Sequence, residues 1–110
     1  MLFAALKSKE NFDINFKHPD VKVDSGPFSI LVKFTENKSN LLGMIIQRKN
    51  IKLAVQRNYI KRVVRNEVKF LSSKKTITIV FLVKRKIDNF NKLKLKKIVR
   101  EIISVTQSKI

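Results

Sequence analysis

Arg57, Asn58, Lys61, Arg62, Arg65 and Lys69 form the densest concentration of chemistry-bearing side chains in this 110-residue chain. Guanidinium groups hold a phosphate through two parallel hydrogen bonds, and ammonium groups hold it as point charges. An amide such as that of Asn58 can reach a base edge or a 2′-hydroxyl, although local hydrogen bonding at a helix terminus is its ordinary alternative use. This is the chemistry of polyanion recognition. The parts needed for acid–base catalysis are missing. The one histidine, His18, stands beside Pro19 in a loop-like stretch, where a solvated side chain is the usual outcome. The eight Asp and Glu are scattered, none at metal-ligand spacing, and Gly26 and Gly43 alone cannot build a glycine-rich phosphate loop.

Spacing turns the basic residues into a surface. At about 100° per residue, a helix from about Leu53 to Phe70 gathers Leu53, Ile60, Val63, Val64 and Leu71 in one sector. Tyr59, Val68 and Phe70 fall at its margins. Asn58, Lys61, Arg62, Arg65 and Lys69 fall opposite, Arg57 stands at the boundary, and small Ala54 lies among the basic residues. Glu67, the one acid in the helix, projects toward the apolar sector. Solvated helix faces usually alternate signs so that Glu and Lys pair at i, i+4. Here Arg57, Lys61 and Arg65 repeat at that spacing, and each like-charge pair costs about 0.2–0.5 kcal/mol in an isolated helix. A polyanion laid along the face removes the repulsion. Arg48, Lys49 and Lys52 carry the basic surface back through the preceding connector.

Composition agrees. The formal net charge is +17 and the isoelectric point about 10.6, while 44% of residues are hydrophobic. That apolar share, spread along the chain, suits one folded domain over residues 1–110 rather than a disordered basic tail. Charge of this size weakens a compact state and fits a polyanionic partner. No cysteine is present, which excludes disulfides and thiolate metal sites. No apolar run reaches the roughly 18 residues of a membrane span, and Met1–Leu6 is too short for a signal peptide. A cytoplasmic, monomeric protein without membrane contact is expected.

The elements that position the basic face follow from periodicity. Ser8 can cap a short helix running to about Lys17, with Phe12 and Phe16 four apart on one face. Val21–Val23 reads as a short edge strand and Asp24-Ser25-Gly26-Pro27 as a turn. Phe28 to Phe34 alternates, with Phe28, Ile30, Val32 and Phe34 on one face and Ser29, Leu31 and Lys33 on the other, as in a half-buried strand. After a polar loop, Leu41–Ile46 returns as a strand expected to pair antiparallel with it. Thr76–Val83, rich in β-branched residues, reads as a strand interior to the sheet. Lys84-Arg85-Lys86 marks its exit. Asn89 or Asn91 can cap a last helix with a stripe of Leu95, Ile98, Val99, Ile102 and Ile103. Lys92, Lys94, Lys96 and Lys97 crowd its first turns, where the helix dipole disfavours cations. The order implies an α+β sandwich of two layers.

The run from Gly43 to Arg65 also resembles the signature of the bacterial ribonuclease P protein subunit. That family has a glycine-led strand, a pair of basic residues, a connector, and a helix of the form Ala-x-x-Arg-Asn-x-Ile-Lys-Arg-x-x-Arg. Ala54, Arg57, Asn58, Ile60, Lys61, Arg62 and Arg65 fit it, whereas Asn66 stands where the family usually has Glu and Leu53 where it is often basic. The resemblance is recognisable again at Leu6–Phe16 and weak after Thr76, where Lys86 takes the place of a family glycine.

The resemblance implies a helix-β-β-β-helix-β-helix order with a left-handed crossover, the ribosomal protein domain 2-like arrangement. Bottom-up rules favour a right-handed crossover between parallel neighbours. It further implies a subunit of an endoribonuclease, one copy per catalytic RNA, which removes the 5′ leader of precursor tRNA. Catalysis and the magnesium ions would then reside with the RNA and substrate, leaving no catalytic residue or metal ligand in the polypeptide. Arg48, Lys49, Lys52, Arg57, Asn58, Lys61, Arg62, Arg65 and Lys69 would bind the catalytic RNA. A cleft between the basic helix and one sheet face, edged by the first helix, would hold the single-stranded leader at Phe12, Phe16, Leu31 and Lys33. Phe12 and Phe16 could equally be core. A structural ribosomal RNA-binding protein shares the charge and size but needs no grip on a leader. A stand-alone nuclease lacks acid–base residues.

Overall fold

The computed structural model describes residues 1–6, 17–36 and 38–110. Five strands form one sheet: β1 (Phe3–Ala5), β2 (Val21–Ser25), β3 (Phe28–Thr35), β4 (Asn40–Ile45) and β5 (Thr76–Val83). Two helices, α1 (Ala54–Val68) and α2 (Lys92–Lys109), complete the described elements. The helix expected from Ser8 to about Lys17, with Phe12 and Phe16, lies almost wholly outside the described residues. Among the described residues no helix is long and apolar enough to cross a membrane.

The sheet order is β1-β4-β5-β3-β2. The expected antiparallel pairing of the Phe28–Phe34 and Leu41–Ile46 strands is therefore wrong. β5 lies between them, antiparallel to β3 with Ile30 opposite Phe81, and parallel to β4 with Leu42 opposite Ile79. The reason is burial: Ile77 to Phe81 are all buried, and a strand apolar on both faces is satisfied only with a partner on each side. Nor is β3 half-buried at its start, since Phe28 to Val32 are all buried. The short β1, which no periodicity announced, pairs parallel with β4 and delivers Leu6 to the sheet, where its N–H donates to the Leu42 carbonyl at 2.9 Å.

The β2–β3 hairpin closes through Gly26 and Pro27, between the paired residues Ser25 and Phe28. Gly26 has φ +55°, the left-handed conformation that a two-residue hairpin with glycine at its first central position requires.

Both helices cover one face of the sheet. Ile60, Val63, Val64 and Val68 of α1 and Leu95, Val99, Ile102 and Ile103 of α2 pack with Val23, Phe28, Ile30, Val32, Ile79 and Phe81 in one core. Asn91 caps α2, its Oδ1 accepting from the Lys94 N–H at 3.0 Å. The opposite sheet face carries a second cluster of Leu6, Leu31 and Val80, flanked by Leu41, Ile45 and Leu82.

Candidate nucleic-acid interface

The connector between β4 and α1 is built to present charge outward. The Gln47 carbonyl accepts from the N–H groups of Asn50 and Ile51 at 3.0 and 3.1 Å, closing a tight turn. Ile51 then drops into the core, and Asn50 is buried beside it. The Asn50 amide donates to the Val83 carbonyl at 2.9 Å, and its own carbonyl accepts from the Ile87 N–H at 2.9 Å. Two inward residues thus pin the connector to the exit of β5, which leaves Arg48, Lys49 and Lys52 exposed.

Along α1, Asn58, Arg62, Arg65 and Lys69 are exposed and Lys61 is half-buried. They share the solvent side, opposite the buried stripe, as the spacing predicts. Arg57 has a different task. Its Nη1 donates to the carbonyls of Ile51 and Lys52, both at 2.8 Å, so one arm of the guanidinium fastens the connector to the first turn of the helix. Leu53 sits at the N-cap position, 55% exposed, and Phe70 lies beyond the helix end at 79%; neither joins the apolar sector expected for it. Both lie outside the helix, Leu53 before its first turn and Phe70 after its last, where the helical period no longer sets direction.

Among the described residues, no carboxylate pairs with Lys61, Arg62, Arg65 or Lys69. Glu67 turns to α2, accepting from Arg100 Nε at 2.9 Å. Asp88 meets Lys86 at 3.6 Å with both side chains in solvent. Asp20 and Asp24 stand at the far edge of the sheet. The Phe34 N–H, donating to Asp20 Oδ2 at 2.8 Å, holds that carboxyl below its ordinary range, with Lys33 adding to the effect. The Ser29 hydroxyl does the same for Asp24, assisted by Lys84. Among the described residues nothing neutralises the basic face, and its potential is available to a phosphate backbone.

Leu31 and Lys33 lie elsewhere. α1 packs through the core on the other sheet face, and the hollow between α1 and the β1–β4 edge is lined by Met1, Phe3, Leu42, Arg62, Arg65 and Lys69, whereas Leu31 and Lys33 belong to the opposite sheet face. Leu31 is 4% exposed and packs with Leu6 and Val80. Lys33 reaches Asp20 at 3.5 Å. A shallow hollow on this face is lined by Leu31 and Leu82 and ringed by Lys22, Asp24, Ser29 and Lys84. Phe12 and Phe16 lie outside the described residues.

Asn50 escaped the sequence reading. Its signal was an Asn-Ile pair inside an otherwise basic connector, the mark of an inward anchor. Tyr59 escaped too: it packs edge-to-face on Phe90 with centroids 6.1 Å apart, and Lys92 Nζ lies 5.3 Å from its ring centre.

Comparison with known proteins gives one consistent answer. The family model described as Ribonuclease P matches residues 3–107. No curated relative matches the chain. Among solved structures, the RNase P protein of Staphylococcus aureus superposes with a TM-score of 0.77 at 20% identity, covering 94% of each chain. That of Thermotoga maritima gives 0.70 at 21% identity, covering 97% of each. At such identities the superpositions speak for the fold, and the family match speaks for descent. With Gly43 inside β4, a pinned basic connector, a one-sided basic helix and a family match over residues 3–107, this chain belongs to the ribonuclease P protein family.

Proposed function

We propose that the chain is the protein subunit of a ribonuclease P holoenzyme. It binds the catalytic RNA through the connector and the outer side of α1, and the single-stranded 5′ leader of precursor tRNA on the sheet face away from the helices. The observation that carries this reading is the row Lys61, Arg62, Arg65 and Lys69, unpaired with any carboxylate among the described residues and continuous with Arg48, Lys49 and Lys52.

The chain's part in the reaction is electrostatic and positional. Each cation that meets a phosphate releases counterions and offsets repulsion between catalytic RNA and substrate. Lys33, with Lys22 and Lys84 nearby, supplies positive charge where the leader would run, and Phe12 and Phe16 supply candidate stacking surfaces for its bases. Among the described residues no three carboxylates or imidazoles gather. The magnesium this family's reaction implies would be held by RNA and substrate, and no step is routed through the protein.

The test is reconstitution with a bacterial ribonuclease P RNA at low magnesium, scoring cleavage of precursor tRNA. The chain should restore cleavage, and the complex should bind precursor tRNA more tightly than leaderless tRNA. Restored cleavage with equal affinity for both would remove the leader from the account. No restoration at any protein concentration would remove the function.

A further inference from the structure

A groove runs between the connector and the loop that leads from β5 to α2. Arg48, Lys52 and Lys86 stand along its walls, and Leu53 and Phe90 line its interior with the Gln56 amide beside them. Its two walls are tied together by the hydrogen bonds of Asn50, to Val83 and from Ile87, and the Arg57 arm that holds Ile51 and Lys52 braces the connector wall against α1. The groove is therefore preformed. It also accounts for two features the rest of the account leaves idle: an apolar Leu53 more than half exposed at a helix start, and a basic cluster after β5.

An apolar, aromatic interior between cationic walls is the arrangement that holds an unpaired nucleotide, because every base has a stacking face and every linkage a charge. The only acid among the described residues on the rim, Asp88, is paired with Lys86 with both side chains largely exposed, where such pairs are weak and exchangeable. A second copy of the chain is disfavoured as occupant by its +17 charge. We propose that this groove takes one unpaired ribonucleotide of a single-stranded RNA segment, its base against Phe90 and Leu53 and its flanking phosphates on Lys52 and Lys86. The assignment goes beyond the charge-only role of the connector, and its test uses no catalytic RNA, so it stands or falls apart from the ribonuclease P reading.

The chain has no tryptophan, so Leu53→Trp places a single fluorescent reporter on the groove wall. A short oligoadenylate should quench its emission, whereas a strand of the same length made of abasic ribose phosphates should not. The unsubstituted chain should bind oligoadenylate about 5- to 150-fold more tightly than the abasic strand, the fold-change of stacking one base. Phe90→Leu keeps the apolar volume but loses the ring, and should reduce that preference while leaving the salt dependence unchanged, since no charge is lost. Unaltered emission at saturation, equal affinity for the two strands, or full preference in Phe90→Leu would each overturn the proposal. So would an emission change that follows protein concentration without RNA, which would make the groove a contact between copies.

Discussion

Replacing Asn50 by Ala separates the scaffold of the basic surface from its charge. The side chain is 8% exposed and its amide donates at 2.9 Å to the Val83 carbonyl at the end of the central strand. Removing it leaves that carbonyl without its donor in a buried site, at a cost of about 1–3 kcal/mol. For a domain of this size each kcal/mol shifts Tm by about 4–8 °C, so Tm should fall by roughly 4–24 °C. The backbone link from Ile87 to Asn50 survives the change, so the connector loosens without detaching. Thermal unfolding by circular dichroism measures the first effect. Fluorescence anisotropy with ribonuclease P RNA at several salt concentrations measures the second: affinity should drop while its salt slope stays put, because no cation has been deleted. A Tm within about a degree of the parent would refute the claim that this bond holds the connector.

Arg57→Ala should cost about 1.5 kcal/mol of stability, the low end for charged hydrogen bonds because the side chain is partly exposed, whereas Arg62→Ala should leave Tm unchanged. Equal thermal shifts would contradict the division of labour drawn between them. Gly26→Ala forces a side chain into φ +55° and should cost about 1–2 kcal/mol, readable in urea unfolding. In acid, Asp20 and Asp24 matter. Their folded carboxyls titrate below the ordinary value, so their contribution is fully present above about pH 4 and is lost as pH falls through the lowered values. Asp20→Asn should flatten that loss in an acid titration of stability; an unchanged profile would dismiss Asp20 as its source.

Local pattern made much of this legible. The strand in Phe28–Phe34, the apolar stripe of the last helix and the two-sided run of Thr76–Val83 each needed only near neighbours, and each forms the expected element, although the start of β3 is buried on both faces rather than one. The orientation of Glu67 was also readable, because a helix fixes direction from spacing alone. What stayed hidden depends on contacts distant in sequence. That β5 separates β3 from β4 follows from a crossover, whereas short polar loops favour hairpins. A three-residue strand such as β1 is too short to show a period. Asn50 and Arg57 look like members of a basic run until Val83 and the connector carbonyls are placed beside them. Leu31 and Lys33 do not face the basic helix, because alternation along β3 puts them on the sheet face away from the helices.

The central claim is that the outer side of α1 is an RNA-binding surface, and its salt dependence tests this most directly. Each lost phosphate contact should reduce the slope of log affinity against log salt by about 0.7–0.9. The combined substitution Lys61→Ala, Arg62→Ala and Arg65→Ala should therefore flatten the slope for ribonuclease P RNA by about 2–3 while leaving thermal stability intact. A triple variant that binds this RNA with the parent's affinity and the parent's slope would contradict the account.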